Sequence, residues 1–210
     1  MIAMPIHTDI DFIYQIFDQS VDDYHTHDDV NQPISVPYEE GTFEYFLYLK
    51  NAIDCVQWHL EDLIRDPDIE PVEALKIKRR IDLLNQQRTD TVEKIDDFYY
   101  NFFAPIKPRP DARLNTESIA WALDRLSILS LKIYHMEVEV RREDASDDHI
   151  DFCQKKLHLL YTQKSDLITA IRQLLADIAE GKRIVKTYRA VKMYNDPSTN
   201  PVLYRKNYKS

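Results

Sequence analysis

The stretch TFEYFLYLKNAIDCVQWHLEDLIRD, residues 42–66, decides the fold of this chain. Apolar residues recur in it at spacings of three and four, which predicts one buried stripe of an α-helix. At about 100° per residue a second set falls on the opposite side of the helix, with Tyr48 and His59 at its edge. The first stripe comprises Phe46, Leu49, Ile53, Val56, Leu60 and Ile64, and the second comprises Leu47, Asn51, Cys55, Trp58 and Asp62.

Residues 116–142 repeat this arrangement. One stripe comprises Ile119, Leu123, Leu126, Leu129, Ile133, Met136 and Val140, and the other comprises Trp121, Asp124, Ile128, Leu131 and His135. Both tryptophans of the chain thus lie on a second stripe. A helix that is apolar on two sides is typical of a central position, either within a multi-helix bundle or at a subunit interface. The pattern leaves these two alternatives open.

The composition favours a single all-α domain over residues 1–210. A chain of this length buries a sizeable core, and no run alternates with the period of two that marks a strand. The only glycines are Gly41 and Gly181. This excludes the glycine-rich turns of P-loop and dinucleotide-binding proteins. We therefore predict an up-and-down bundle of about five long helices.

Capping and turn residues set the expected helix boundaries. A shorter basic helix is predicted over residues 182–194, followed by a turn-rich tail, residues 195–210, that packs on the bundle. The five long helices are expected to begin after Thr8 or Asp9, at Thr42, after the turn at 66–71, after Asn115 or Thr116, and after the polar stretch 143–148, with the third ending near Phe103 and the fifth near Gly181.

The charge and the cysteine content limit the kinds of partner and the cellular location that we expect for the protein. The net charge of −9 argues against non-specific nucleic-acid binding. Cys55 and Cys153 lie far apart in helical patterns and are predicted to be reduced and buried. The first residues lack the features of a signal peptide, and no run reaches the roughly 20 apolar residues of a membrane span. A cytoplasmic protein is expected.

The third helix carries a polar anomaly, because Asn85 and Arg88 interrupt its apolar stripe. A guanidinium that faces a core needs an acidic partner or an anionic ligand. The short connection at 66–70 predicts that the second and third helices are antiparallel neighbours, with Asn85 opposite Asn51. Arg88 then lies about one and a half to two turns from His59, so the two residues need not share one pocket.

These polar residues form the predicted site. His59 and Asp62 are the candidate catalytic residues, with His59 as acid or base. The expected ligand is a small anionic molecule such as a sugar, a nucleotide-sugar fragment or a carboxylate metabolite, and no cofactor is identified. The alternative is a non-enzymatic interaction protein whose helices form a homodimer interface. The candidate ligand-binding residues are Asn51, Trp58, Glu61, Asn85, Arg88, Asp124 and His135.

No metal site is predicted. His59 with Asp62 and His135 with Glu139 have spacings at which two side chains face one ion. Di-metal bundles instead use Glu-x-x-His pairs, which this chain lacks. The stretch that contains His25, His27, Asp28 and Asp29 also offers ligand types, but its loop-like acidic character predicts a solvated segment.

The chain resembles an uncharacterised bacterial family, domain of unknown function 4254. The resemblance extends over nearly the whole length and implies no assigned activity. It slightly favours a sugar or nucleotide-sugar ligand. It is carried by Asn51, Trp58, His59, Glu61 and Asp62, by Asn85, Arg88, Asp90, Lys94, Ile95 and Asp96, and by a tail motif with Lys192, Met193, Tyr194, Asn195, Asp196, Pro197, Asn200, Pro201 and Tyr204.

Overall fold

The computed structural model describes residues 6–191, 193 and 196–205. A 3-10 turn at Ile6–Thr8 precedes the helices α1 (Ile10–His25), α2 (Phe43–Leu63), α3 (Pro71–Phe103), α4 (Ile119–Val140), α5 (Asp147–Ala179) and α6 (Pro201–Tyr204). Two-residue strands, β1 (Arg113–Leu114) and β2 (Arg183–Ile184), pair in parallel. The predicted all-α bundle with five long helices is thus confirmed.

Side-chain caps explain most of the helix starts. Asp9 caps α1 and Thr42 caps α2, as the sequence predicts. The fourth helix begins later than predicted, because Ser118 and not Asn115 or Thr116 is its N-cap. The Ser118 hydroxyl accepts a hydrogen bond from a backbone N–H in the first turn, which satisfies a group that the helix itself leaves unpaired.

Helices α1 to α4 pack as a four-helix bundle, and α5 lies along α4 and α1. Contacts along the chain show that α2 to α5 alternate in direction. Helix α1 runs parallel to α2, since Ser20 contacts Tyr48 and, further along both helices, His25 contacts His59. Residues 26–42 return the chain along the bundle between these two helices.

The interior contains two apolar clusters with a polar layer between them. Helix α2 joins the first cluster up to Ala52 and the second from Ile53 onward. The buried polar residues Lys50, Asn51 and Asp54 lie at this junction. The first cluster also includes Phe17, Val92, Leu126 and Ile171, and the second includes Val21, Ile81 and Leu131. None of the described helices is long and apolar enough to cross a bilayer.

The described part of the predicted basic helix, residues 182–191 and 193, is not helical. Gly181, with φ 73°, ends α5, and the chain continues as β2 and then without regular structure. The basic side chains pair with acidic groups on the long helices: Arg183 with Asp177 and Arg189 with Asp97. A helix over these residues would not bring both Arg183 and Arg189 to their acidic partners. The ion pairs and the β1–β2 pairing form in place of the helix.

The tail is described only in part. Asn200 caps the short helix α6, and Ser198 bonds to Asp196 in the preceding turn. Lys192, Tyr194, Asn195 and residues 206–210 lie outside the described residues. Packing of the tail on the bundle therefore stays a prediction.

We predict that Ser118→Ala destabilises the protein more than Ser146→Ala. Both serines are N-caps, but the Ser118 hydroxyl also donates to the carboxylate of Asp96, which is 3% exposed. Loss of a cap costs about 1 kcal/mol, and loss of one hydrogen bond to the buried Asp96 carboxylate, which also accepts from the Ala120 backbone, costs about 1.5–3 kcal/mol more. Urea unfolding of both variants measures the difference. Equal losses would show that the Asp96 contact contributes nothing.

Candidate functional site

Three helices bring four charged side chains together inside the bundle. The Lys50 ammonium of α2 lies 2.5 Å from Asp54 Oδ2 and 2.8 Å from Oδ1 of Asp124 on α4. Arg88 of α3 binds Asp124 with both Nε and Nη2, at 2.9 and 2.6 Å. Its Nε also lies 3.4 Å from Asp54 Oδ1. Arg88 thus has the acidic partners that its position on the core-facing stripe requires.

This charged layer is deeply buried. Lys50 is 1% exposed, Asp54 6% and Asp124 4%. Burial raises the pKa of Asp54, and the nearby Asp124 charge adds to this rise. Burial acts in the same direction on Asp124, but Lys50 and Arg88 outweigh it and hold the pKa of Asp124 below its usual range. Asp124 is therefore the ionised centre of the layer.

Asn51 extends the layer with neutral hydrogen bonds. Its amide donates to the Ser127 hydroxyl at 2.9 Å and to the Ser130 hydroxyl at 3.3 Å. Ser127 in turn donates to Asp54 Oδ2 at 3.0 Å. Asn51 has no exposed surface. This predicted ligand-binding residue therefore contributes to the packed interior and not to a surface that a ligand reaches.

A pocket of about 340 Å³ opens above the charged layer. Its lining contains Trp58, Glu61, Asp62 and Arg88, four of the predicted site residues, together with Asp54, Gln57 and Arg65. The sequence left open whether His59 and Asp62 share a pocket with Asn85 and Arg88. Asp62 and Arg88 both line this pocket, whereas His59 and Asn85 are not part of its lining. The volume is within the range of small-molecule sites.

Gln57 explains why the groups converge. Its Nε2 donates to Asn85 Oδ1 at 3.1 Å, so Gln57 takes the place opposite Asn85 that the sequence analysis gave to Asn51. The same offset sets Arg88 beside Asp54. The ion pairs thus set the register of α3 against α2. This register differs from the one inferred from the short connection at residues 66–70.

His59 belongs to a separate cluster of imidazoles with His25 and His135. The ring centroids of the three pairs are 5.3, 5.2 and 5.2 Å apart. His25 was expected in a solvated segment, but it is the last residue of α1 and its ring stacks on Tyr134 at 4.0 Å. The Trp58 indole stacks on His135 at 4.8 Å and so lies between this cluster and the pocket.

Two imidazoles of this cluster have lowered pKa values. Burial lowers the pKa of His59. Burial, with help from His25 and His59, lowers the pKa of His135 to about 4. One ring nitrogen of each of the three histidines lies within 4.8 Å of the others, a spacing at which they could hold a metal ion.

The two histidine and carboxylate spacings noted in the sequence, His59 with Asp62 and His135 with Glu139, have other partners in the structure. His59 Nε2 lies 3.5 Å from Asp28, whereas Asp62 lines the pocket. Glu139 binds His149 instead of His135. The predicted catalytic pair of His59 and Asp62 is therefore divided between two surroundings.

The sequence analysis did not predict four residues of the charged layer, the pocket and the imidazole cluster: Lys50, Asp54, Gln57 and His25. Asp54 is four residues after Lys50, and this spacing is the signal of a paired helix face. A lysine within a stretch that is apolar on both sides is the other available signal. His25 could not be placed, because its contacts depend on the parallel packing of α1 on α2.

The fold and this site define an all-α bundle with a paired ionic layer beneath a polar pocket. A family model described as "Protein of unknown function (DUF4254)" matches residues 44–187, and the chain belongs to this family. The matched range includes the residues quoted from α2 and α3, while the tail motif lies beyond it. No curated protein and no solved structure matched the chain.

We predict that Lys50→Met lowers the free energy of unfolding by about 3–5 kcal/mol, because the buried Asp54 carboxylate loses its nearest cation and keeps only the longer contact with Arg88. Adding Asp54→Leu is expected to recover a large part of this loss, since an apolar pair avoids the desolvation of two charges. Chemical denaturation of the single and double variants measures both effects. A double variant less stable than the single one would contradict this account of the layer.

Acidification of the metal-free protein gives a second test. Unfolded histidine titrates near 6.5, whereas His135 in the folded state titrates at about 4. Between these values the unfolded chain binds the additional proton, so the free energy of unfolding falls as the pH is lowered. His135→Phe keeps an aromatic partner for Trp58 and is expected to reduce this fall. The same pH slope in parent and variant, from denaturation in chelator-containing buffers, would show that His135 titrates normally.

Proposed function

We propose that the protein binds a polar, hydroxyl-rich small molecule, such as a sugar or the sugar part of a nucleotide sugar, in the pocket beside Trp58. The observation that carries the proposal is the Gln57 Oε1 atom, which is buried and has no hydrogen-bond partner among the described residues. Gln57 is part of the pocket lining. An unpaired buried acceptor costs about 1–3 kcal/mol, and a rotation of the Gln57 side chain into the pocket would let a ligand hydroxyl relieve that cost.

The rest of the lining suits such a ligand. The Trp58 indole gives an apolar wall, and the carboxylates of Glu61 and Asp62 accept hydrogen bonds from hydroxyls. Arg88 is paired with Asp124 inside the bundle, whereas Arg65, which is paired with Glu61, is the more exposed of the two cations. An anionic group, as the sequence analysis expected, would therefore be placed at Arg65.

The proposal concerns binding first. Asp62 is the predicted catalytic residue that lines the pocket, and His59 lies outside the lining given for the described residues. An acid or base role for His59 stays a prediction, to be tested by assaying a His59→Ala variant once a ligand is known. A cytoplasmic location is also part of the proposal, and the buried free thiols Cys55 and Cys153 support it.

The homodimer alternative has less support. Helix α2 is already covered by α1, α3 and α4, which accounts for its two buried faces without a second chain. Trp58 and Trp121 are both half-buried in the single chain. Size measurements on the purified protein remain the direct check of this alternative.

We predict that ligand binding changes the fluorescence of Trp58. The chain has two tryptophans, so Trp121→Phe leaves Trp58 as the single emitter. This variant can be titrated with neutral sugars, sugar phosphates, nucleotide sugars and a carboxylate metabolite. A saturable change with a hydroxyl-rich ligand is expected, because the ligand displaces water from the indole.

Substitution of pocket residues tests the assignment. In the same background, Asp62→Asn is expected to weaken binding by about tenfold or more, since a hydrogen bond to a charged group contributes about 1.5–3 kcal/mol. Asp66→Asn is the matched control, because Asp66 is exposed and outside the lining. No response to any of these ligands, or equal affinity in both variants, would reject the proposed site.

A further inference from the structure

We propose that His25, His59 and His135 form a binding site for one divalent transition-metal ion of the zinc type. The three side chains come from α1, α2 and α4, and their rings meet pairwise. The site is distinct from the pocket of the proposed function. The metal site uses different residues, and it does not require that a sugar binds to the protein.

The nitrogen positions fit a shared ion. His25 Nε2 and His59 Nε2 lie 3.2 Å apart. With zinc–nitrogen bonds of about 2.0–2.1 Å, two ligands of a tetrahedral ion are about 3.3 Å apart. All three histidines offer a nitrogen within 4.8 Å of the others. Small side-chain rotations would therefore complete the set.

The hydrogen bond of His25 to a backbone carbonyl fixes which of its nitrogens can face a metal, and the other nitrogen, Nε2, makes a hydrogen bond with His59 Nε2 that a shared ion would replace. His25 Nδ1 lies 2.6 Å from the Val21 carbonyl oxygen. A carbonyl only accepts, so Nδ1 carries the proton, and in the neutral ring Nε2 presents a lone pair. Metal-bound histidines characteristically donate their second ring N–H to a carbonyl or carboxylate. His25 has this arrangement.

His135 supplies an independent observation. Its Nε2 atom is buried and has no hydrogen-bond partner among the described residues. The ring is held in place by stacking on Trp58, with an interplanar angle of 6°. A metal ion bound by all three imidazoles would give this buried nitrogen a partner.

The surrounding charge favours a cation. The Asp28 carboxylate lies 3.5 Å from His59 Nε2 and reaches it from a left-handed backbone conformation, with φ 50°. Imidazole nitrogens suit zinc, copper, nickel or iron, whereas magnesium and calcium require oxygen ligands. Three protein ligands leave a fourth position for water or a small ligand.

A second group, Glu139, His149 and Cys153, also has metal-ligand types. Its members already bond to one another: His149 Nε2 lies 2.9 Å from Glu139 Oε2 and 3.3 Å from Cys153 Sγ. It is therefore satisfied without an ion. Because this group contains a thiol, cobalt bound there would show a sulfur-to-metal charge-transfer band that a three-histidine site lacks.

Metal titration of the full chain tests the proposal. After chelator treatment, the parent protein is expected to bind one equivalent of zinc by calorimetry and to give cobalt absorption typical of nitrogen ligands. His59→Ala and His135→Phe are each expected to weaken zinc affinity by at least about tenfold. His158→Ala, an exposed histidine of α5, and Cys153→Ser are the controls and should bind zinc as the parent does.

Metal-binding results on the parent protein are sufficient to reject the proposal. Absence of stoichiometric zinc binding to the chelator-treated parent, or a cobalt–thiolate band that disappears in Cys153→Ser, would reject the three-histidine site. Unchanged zinc affinity in folded His59→Ala and His135→Phe, with folding checked by circular dichroism, would do the same. The pocket proposal is read separately from the fluorescence of Trp58 in chelator, so failure of one proposal is distinguishable from failure of the other.

Discussion

The pairing of Lys50 and Arg88 with Asp54 and Asp124 constrains the rest of the bundle. A buried charge without its partner costs several kcal/mol, so α2, α3 and α4 are restricted to registers in which all four groups meet. The bidentate contact of Arg88 with Asp124 makes this restriction directional, because a planar guanidinium matches a carboxylate in few orientations. Apolar stripes alone would tolerate sliding by a turn, and the ionic layer does not.

Both candidate sites follow from this register. Arg88 and Asp54 form the base of the pocket, and Trp58 stands one helical turn further along α2. The same indole stacks on His135, which joins the pocket to the imidazole cluster. His25 reaches that cluster because α1 runs parallel to α2 and ends at the same level. A hydroxyl-rich ligand and a metal ion are thus proposed on opposite sides of one aromatic residue.

The sequence predicts local features well and long-range contacts less well. The capping residues Asp9 and Thr42 mark helix starts through hydrogen bonds within one turn, so they are readable from the chain. Arg88 on a core-facing stripe predicts either an acidic partner or an anionic ligand, and the structure contains the acidic partner. Its identity was not readable, because Asp124 is 36 residues away and Lys50, a residue type that usually lies at the surface, shares it.

The tail and the first connection show the same limit. The basic segment after Gly181 has a composition compatible with a helix, yet Arg189 binds Asp97 on α3, a contact that local periodicity does not encode. The direction of α1 depends on the course of residues 26–42. The placement of His25 against His59 therefore required the three-dimensional structure.

We expect the ionic layer to specify one arrangement of the helices and not to be the main source of their stability. The direct measurement is a two-dimensional ¹H–¹⁵N spectrum of the indole N–H groups of Trp58 and Trp121 in a variant whose layer is fully apolar. We expect a folded variant with broadened indole signals or with more than two of them. Two sharp signals, as one arrangement of a two-tryptophan chain gives, would contradict it. The substitutions in this variant are Lys50→Met, Asp54→Leu, Arg88→Met and Asp124→Leu.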